Sequence, residues 1–85
     1  AIETYNQAIA RDDNYFDYYL GRGLAYSRQG NESRARADLQ ASVDLLPTAL
    51  AMNELGTMAL NANDRTLAKQ YFEQAATAPG EPRST

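Results

Sequence analysis

Three short patterns in this chain hold residue types that do chemistry elsewhere. Asp12-Asp13 is a carboxylate pair, Asn61-x-Asn63-Asp64 carries the oxygen donors of a calcium loop, and Asn31-Glu32-Ser33 fits the acceptor sequon for N-glycosylation. None carries its chemistry through. Residues adjacent in sequence do not flank a scissile bond as an acid–base dyad does, so Asp12 and Asp13 read as turn and capping residues. The calcium pattern lacks both the following glycine and the distant Glu. A turn capped by Asn31 accounts for the sequon without modification. The 85 residues contain no Cys and no His, which removes thiolate nucleophiles, imidazole bases and the usual zinc or haem ligands. No catalytic residue, metal site or cofactor is expected, and the chain reads as a non-enzyme.

Charge and length narrow the remaining classes. Eleven acidic residues against eight basic ones give a net charge of −3, which argues against nucleic acid as the main partner. No run of about 18 apolar residues exists, so the chain reads as soluble, without membrane insertion. Lack of cysteine suits a reducing or an oxidising compartment, leaving cytoplasm and periplasm equally open. Eighty-five residues hold a single small fold. The opening at Ala1, in mid-pattern and without a signal-like segment, predicts a piece of something longer.

The elements that would position any binding surface come from an internal repeat. Ala1, Tyr5, Ala8 and Ile9 recur 34 residues later as Ala35, Leu39, Ser42 and Val43, and 33 residues after that as Ala68, Phe72, Ala75 and Ala76. Gly23, Gly30 and Asn31 recur as Gly56, Asn63 and Asp64, again 33 residues on. Within each series small-x3-large-x2-small places the residues on one face of a helix. Gly30-Asn31 and Asn63-Asp64 each set a residue tolerant of left-handed backbone beside a good N-cap, which closes one helix and opens the next. Pro47-Thr48 stops a helix and caps its successor, and Asp13-Asn14 is expected to do the same without proline. The spacing predicts five helices over about 1–11, 15–29, 32–46, 49–61 and 65–77. Pro79 to Thr85 lacks an apolar period and predicts a loose tail.

These residues resemble the tetratricopeptide repeat (TPR) family, whose unit of about 34 residues carries aromatic-x2-Leu-Gly-x2-Tyr, then Gly, Ala, a large apolar residue, Ala and Pro. Tyr19, Gly23, Tyr26, Gly30, Ala35, Leu39 and Pro47 meet that pattern, with Ser42 in place of the second alanine. Leu55, Gly56, Ala68, Phe72 and Ala75 meet it again, with Met52, Ala59 and Asn63 as departures. The resemblance implies an all-α fold of antiparallel helix-turn-helix repeats stacked as a right-handed α-solenoid, about two and a half units in five helices. The repeat domain would run over 1–79, with 1–13 the second helix of a partial unit, 14–47 and 48–79 full units, and 80–85 a disordered tail. The junction Leu46-Pro47-Thr48-Ala49 is also similar to C-terminal arrays trailing bacterial cell-envelope zinc metallopeptidases. That likeness implies an accessory, substrate-recruiting region, with the catalytic part upstream because no His-Glu-x-x-His is present.

In the resembled family the first helix of each unit lines a concave groove that takes peptide segments. Carried over, the groove positions are Asp17, Leu20, Gly21, Leu24, Ser27 and Arg28, followed by Leu50, Asn53, Glu54, Thr57, Leu60 and Asn61. The carboxylate clamp of the chaperone-binding subclass, built from Lys, Asn and Arg, is absent from these positions. Leu20, Leu24, Leu50 and Leu60 instead suggest an apolar strip beside Asn53 and Asn61, whose amides can pair with a peptide backbone; leucines on a hairpin helix are as readily core. The expected partner is a protein or peptide segment. Arg22 stands where the family places leucine and is expected to lie along the hairpin edge toward a carboxylate such as Asp12, Asp13 or Asp17. Gly21 adds a second glycine to that helix and predicts a soft span over 20–24. Ile2, Tyr5 and Ile9 form an apolar stripe without a preceding helix, which predicts either a longer array or a homodimer through that open N-terminal face. Ala76 and Ala78 replace larger residues, so the apolar stripe thins and the array is expected to end near residue 78.

Overall fold

The computed structural model describes residues 1–78; the expected tail lies outside them. Five α-helices run in order: α1 Ile2–Arg11, α2 Phe16–Arg28, α3 Glu32–Leu45, α4 Ala49–Asn61 and α5 Arg65–Ala76. Among the described residues there is no strand, and each helix ends within about a residue of the range its sequence pattern predicts. The chain is an all-α helical repeat.

The turns explain why the helices stop where they do. At the end of α2, Asn31 N–H donates to Tyr26 O at 2.9 Å and Gly30 N–H to Ser27 O at 3.0 Å, with Gly30 at φ 81°. At the end of α4, Asp64 N–H donates to Ala59 O at 2.8 Å and Asn63 N–H to Leu60 O at 3.0 Å, with Asn63 at φ 64°. Both are Schellman closures, which need a residue that accepts left-handed backbone. The residue after each closure then caps the following helix: Asn31 Oδ1 accepts from Arg34 N–H at 3.3 Å and Asp64 Oδ1 from Leu67 N–H at 3.1 Å. One residue thus ends one helix and starts the next, which forces an antiparallel hairpin. Asn31 carries out the capping expected of it in place of a sequon role.

The other type of junction also recurs. Asp12 and Leu46, the C-caps of α1 and α3, both have extended backbone, at φ −149°, ψ 101° and φ −155°, ψ 111°. Thr48 Oγ1 accepts from Ala51 N–H at 3.4 Å and caps α4. Asp13-Asn14 does not do the same for α2. There the N-cap is Tyr15, with no side-chain hydrogen bond, while Asp12 Oδ1 accepts from Asn14 N–H at 3.0 Å and Tyr19 Oη donates to Asp13 O at 3.0 Å. The carboxylate is spent on the turn itself, so it is turned away from the helix end.

Packing follows the repeat. The substantial helix–helix interfaces are all between neighbours in sequence, and the thin dimension of the molecule, 19 Å, is two helix diameters. At the α2–α3 crossing a Cβ on Gly23 would sit 3.1 Å from Leu39 Cγ and 3.2 Å from Ala35 O. At the α4–α5 crossing one on Gly56 would sit 2.7 Å from Phe72 Cε1. A missing side chain on one helix receives a large one from the other, with the same 33-residue offset on both sides. Around these crossings Leu20, Ala35, Leu39, Val43, Ala51, Met52, Leu55, Met58 and Ala75 form the core. Ser42 is fully buried among them, and its hydroxyl has no hydrogen-bond partner.

Two outcomes follow for chemical denaturation. Gly23→Leu forces a side chain into the α2–α3 crossing and lowers the unfolding free energy by about 1–3 kcal/mol. Ser42→Ala restores the small apolar residue that Ala75 supplies in the next hairpin and raises it by about 1 kcal/mol, by removing an unsatisfied buried hydroxyl.

Candidate protein-binding face

Helix α4 presents most of what the sequence assigns to a groove. Leu50, Asn53, Thr57 and Leu60 step by three or four residues along one face, and all are exposed, Leu50 by 50% and Leu60 by 49%. Asn61 is exposed beside them, and Glu54 is half-buried. Thr57 donates its hydroxyl to Asn53 O at 3.0 Å, which leaves the Asn53 side chain without an intrahelical bond and open to a ligand backbone. Glu54 is the lone charged residue in α4, so the strip is close to neutral along its length.

Helix α2 contributes less. Asp17 and Arg28 are exposed and Ser27 is half-buried, but Leu20 is only 6% exposed and belongs to the core cluster, and Leu24 packs against that cluster. The expected four-leucine strip is therefore corrected: two of its leucines hold the helices together, and two face outward. Gly21 is not open surface either. A Cβ there would overlap the ring of Tyr5, which α1 lays across α2 at this point. The second glycine of α2 has a packing reason, of the same kind as Gly23 and Gly56.

The Arg22 expectation is also corrected. Its partner is neither Asp12, Asp13 nor Asp17 but Asp38 on α3, held through two parallel bonds, Nε to Oδ2 at 2.7 Å and Nη2 to Oδ1 at 2.8 Å. The remaining Nη1 donates to Asn6 Oδ1 on α1 at 2.8 Å. Asp38 is buried and Arg22 mostly so. The hydrogen bonds to Asp38 raise the Arg22 pKa above its ordinary value, against desolvation, which lowers it. Because the folded-state pKa is raised, the contribution is complete at neutral pH and fades only in strong alkali. The signal that would have found the pair lies in the repeat. Residues 22 and 38 recur as Leu55 and Tyr71, an apolar pair at the same two places.

Three clefts open elsewhere, and none is lined by a residue assigned to the groove. One of about 260 Å³ lies over Leu55, Met58 and Leu67, with Arg36 and Asp64 at its rim. A second, of about 410 Å³, holds Asn6, Arg22, Tyr26, Arg34 and Asp38. The third, of about 270 Å³, lies between Pro47, Met52 and the end of α5. The α4 strip is thus an open face rather than a cavity, a shape that suits a chain segment better than a small molecule.

The observation that decides the family is the match of the whole repeat to known models. A family model described as Tetratricopeptide repeat matches residues 20–82, and one described as TPR repeat matches residues 1–30. The chain belongs to the tetratricopeptide repeat family. TPR arrays generally mediate protein–protein interactions and are typically non-catalytic. Comparison with curated proteins and with solved structures gives no match. The likeness to metallopeptidase arrays gains no support from these comparisons. Among the described residues no TPR helix is long and apolar enough to cross a membrane.

The Arg22–Asp38 pair in this TPR chain can be tested by exchanging it for its counterpart. Asp38→Ala strands a mostly buried guanidinium and costs about 3 kcal/mol in urea unfolding. The double substitution Arg22→Leu with Asp38→Tyr, which copies Leu55 and Tyr71, recovers most of that loss.

Proposed function

We propose that this TPR segment is a non-catalytic interaction module whose α4 face binds an extended, largely uncharged segment of a partner protein. Supporting it is one observation above the others: two half-exposed leucines, Leu50 and Leu60, bracket the exposed polar side chains of Asn53 and Thr57 on a single helix face. Along α4 the two leucines are separated by about 15 Å of helix rise. An extended segment advances about 3.3 Å per residue, so apolar side chains four residues apart on one face of that segment span roughly 13 Å and fit both. Between them Asn53 offers amide donors and an acceptor to the ligand backbone. Asp17, Ser27 and Arg28 form the α2 border of the same face, with Glu54 and Asn61 along α4. The 14–47 and 48–79 units each contribute their first helix to this arrangement.

Self-pairing through Ile2, Tyr5 and Ile9 is less favoured, because all three are half-buried and Tyr5 is seated on Gly21. A recruiting role beside a peptidase would use the same α4 face and requires no different chemistry from it.

The test is selection from a displayed peptide library, followed by chemical-shift mapping of an enriched peptide on the labelled chain. The reading expects shifts concentrated at Leu50, Asn53, Thr57 and Leu60. It also expects Leu60→Asp to weaken binding at least tenfold while the melting temperature stays within a few degrees. Shifts confined to the Arg36–Leu67 cleft, or a collapse in stability on Leu60→Asp, would contradict it.

A further inference from the structure

Helix α1 is held differently from the other four. It contains no buried residue, and its substantial interface is with α2 alone. Two adjacent contacts fasten it. The Tyr5 ring covers Gly21, and Asn6 Oδ1 accepts from Arg22 Nη1 at 2.8 Å. Consecutive residues of α1 therefore meet consecutive residues of α2. The second contact is borrowed from α3, since the two bonds to Asp38 aim the guanidinium that reaches Asn6. Gly21 lies on α2 between Leu20, which is core, and Leu24, which edges the binding face. The Tyr5 ring thus occupies the place on α2 where a ligand side chain would otherwise extend beyond the α4 strip.

We propose that α1 is a latch: it opens as a unit while α2–α5 stay folded, and in its closed position Tyr5 withholds the Gly21 part of the binding face. An element with few buried contacts opens below the global unfolding transition, and its opening is set by the contacts that fasten it. The gating half of this inference rests on the α4-face reading of the preceding section; the opening half does not. A ligand reaching Gly21 sees only the open fraction of molecules, so its apparent affinity is reduced by that fraction while the latch is closed. Gly21 and Arg22 act here as positioning residues for α1.

Native-state hydrogen exchange on the 1–85 chain tests the opening without any ligand. The protected amides of α1 are expected to exchange at least tenfold faster than those of α3 and α5. Tyr5→Ala and Asn6→Ala each accelerate α1 by a further three- to tenfold, with α3–α5 unchanged. Gly21→Ala, which puts a methyl group under the ring, does the same. Exchange of α1 at the rate of α3 and α5, or acceleration of all five helices together by Asn6→Ala, would overturn the latch. The gating is read separately, with a library-selected peptide whose shifts reach α2. Tyr5→Ala tightens such a peptide several-fold, whereas unchanged or weaker binding with α1 already exchanging fast would overturn the gating.

Discussion

The structure depends on two helices approaching closely enough for a glycine on one to receive a large side chain from the other. Gly23 faces Leu39 and Gly56 faces Phe72, and a Cβ at either glycine would be in tight or forbidden contact with that neighbour. Glycine inside a helix costs about 0.5–1 kcal/mol relative to alanine, so both are retained against local preference. What they permit is a crossing at the same level in each hairpin. The matched Schellman closures at Gly30 and Asn63 set the hairpin length, and the crossings set its angle. With both fixed, the second hairpin stacks on the first along a line, as repeats that contact only their neighbours do. The outward face of α4 is a by-product of that stacking.

The repeat is not uniform, and its departures carry its individuality. Arg22 and Asp38 occupy the places that Leu55 and Tyr71 hold one unit later. The apolar pair is satisfied by packing alone. The charged pair must be complete, because either member left alone in a mostly buried site would be uncompensated. In exchange the guanidinium keeps a spare donor, and Asn6 of α1 takes it. An apolar residue at position 22 would hold α2 to α3 but offer α1 no hydrogen bond. The exchange of Leu for Arg at this place therefore links three helices in place of two. Tyr5 and Gly21 repeat the small-against-large device at the same junction, though here between helices of different hairpins.

Helix bounds and turns were legible in the sequence because the signals are local. Gly30, Asn63, Asn31, Asp64 and Thr48 act through their own backbone or through an amide three residues away, and all behave as their types predict. The start of α2 was misread for the same reason: Asp13-Asn14 has capping chemistry, but Tyr19 and Asn14 engage that turn from outside the helix end. The binding face was only half legible. Leu20 and Leu50 are both leucines on first helices, but Leu20 turns into the core while Leu50 remains half-exposed, and the difference lies in how far each helix is rotated about its axis. Asp38 was missed because nothing in its own sequence neighbourhood marks it. Its meaning appears only when its offset partner Tyr71 and the pair 22 and 55 are compared together.

The most direct measurement is a set of nuclear Overhauser contacts on the labelled chain at the two glycine crossings. The fold described here predicts strong contacts from Gly23 α-protons to the Leu39 methyl groups and from Gly56 α-protons to the Phe72 ring, with equivalent intensities for equivalent separations. Absence of either set, or contacts linking Gly56 to Leu39 instead, would mean that the hairpins do not share one crossing, and the stacked repeat would be wrong.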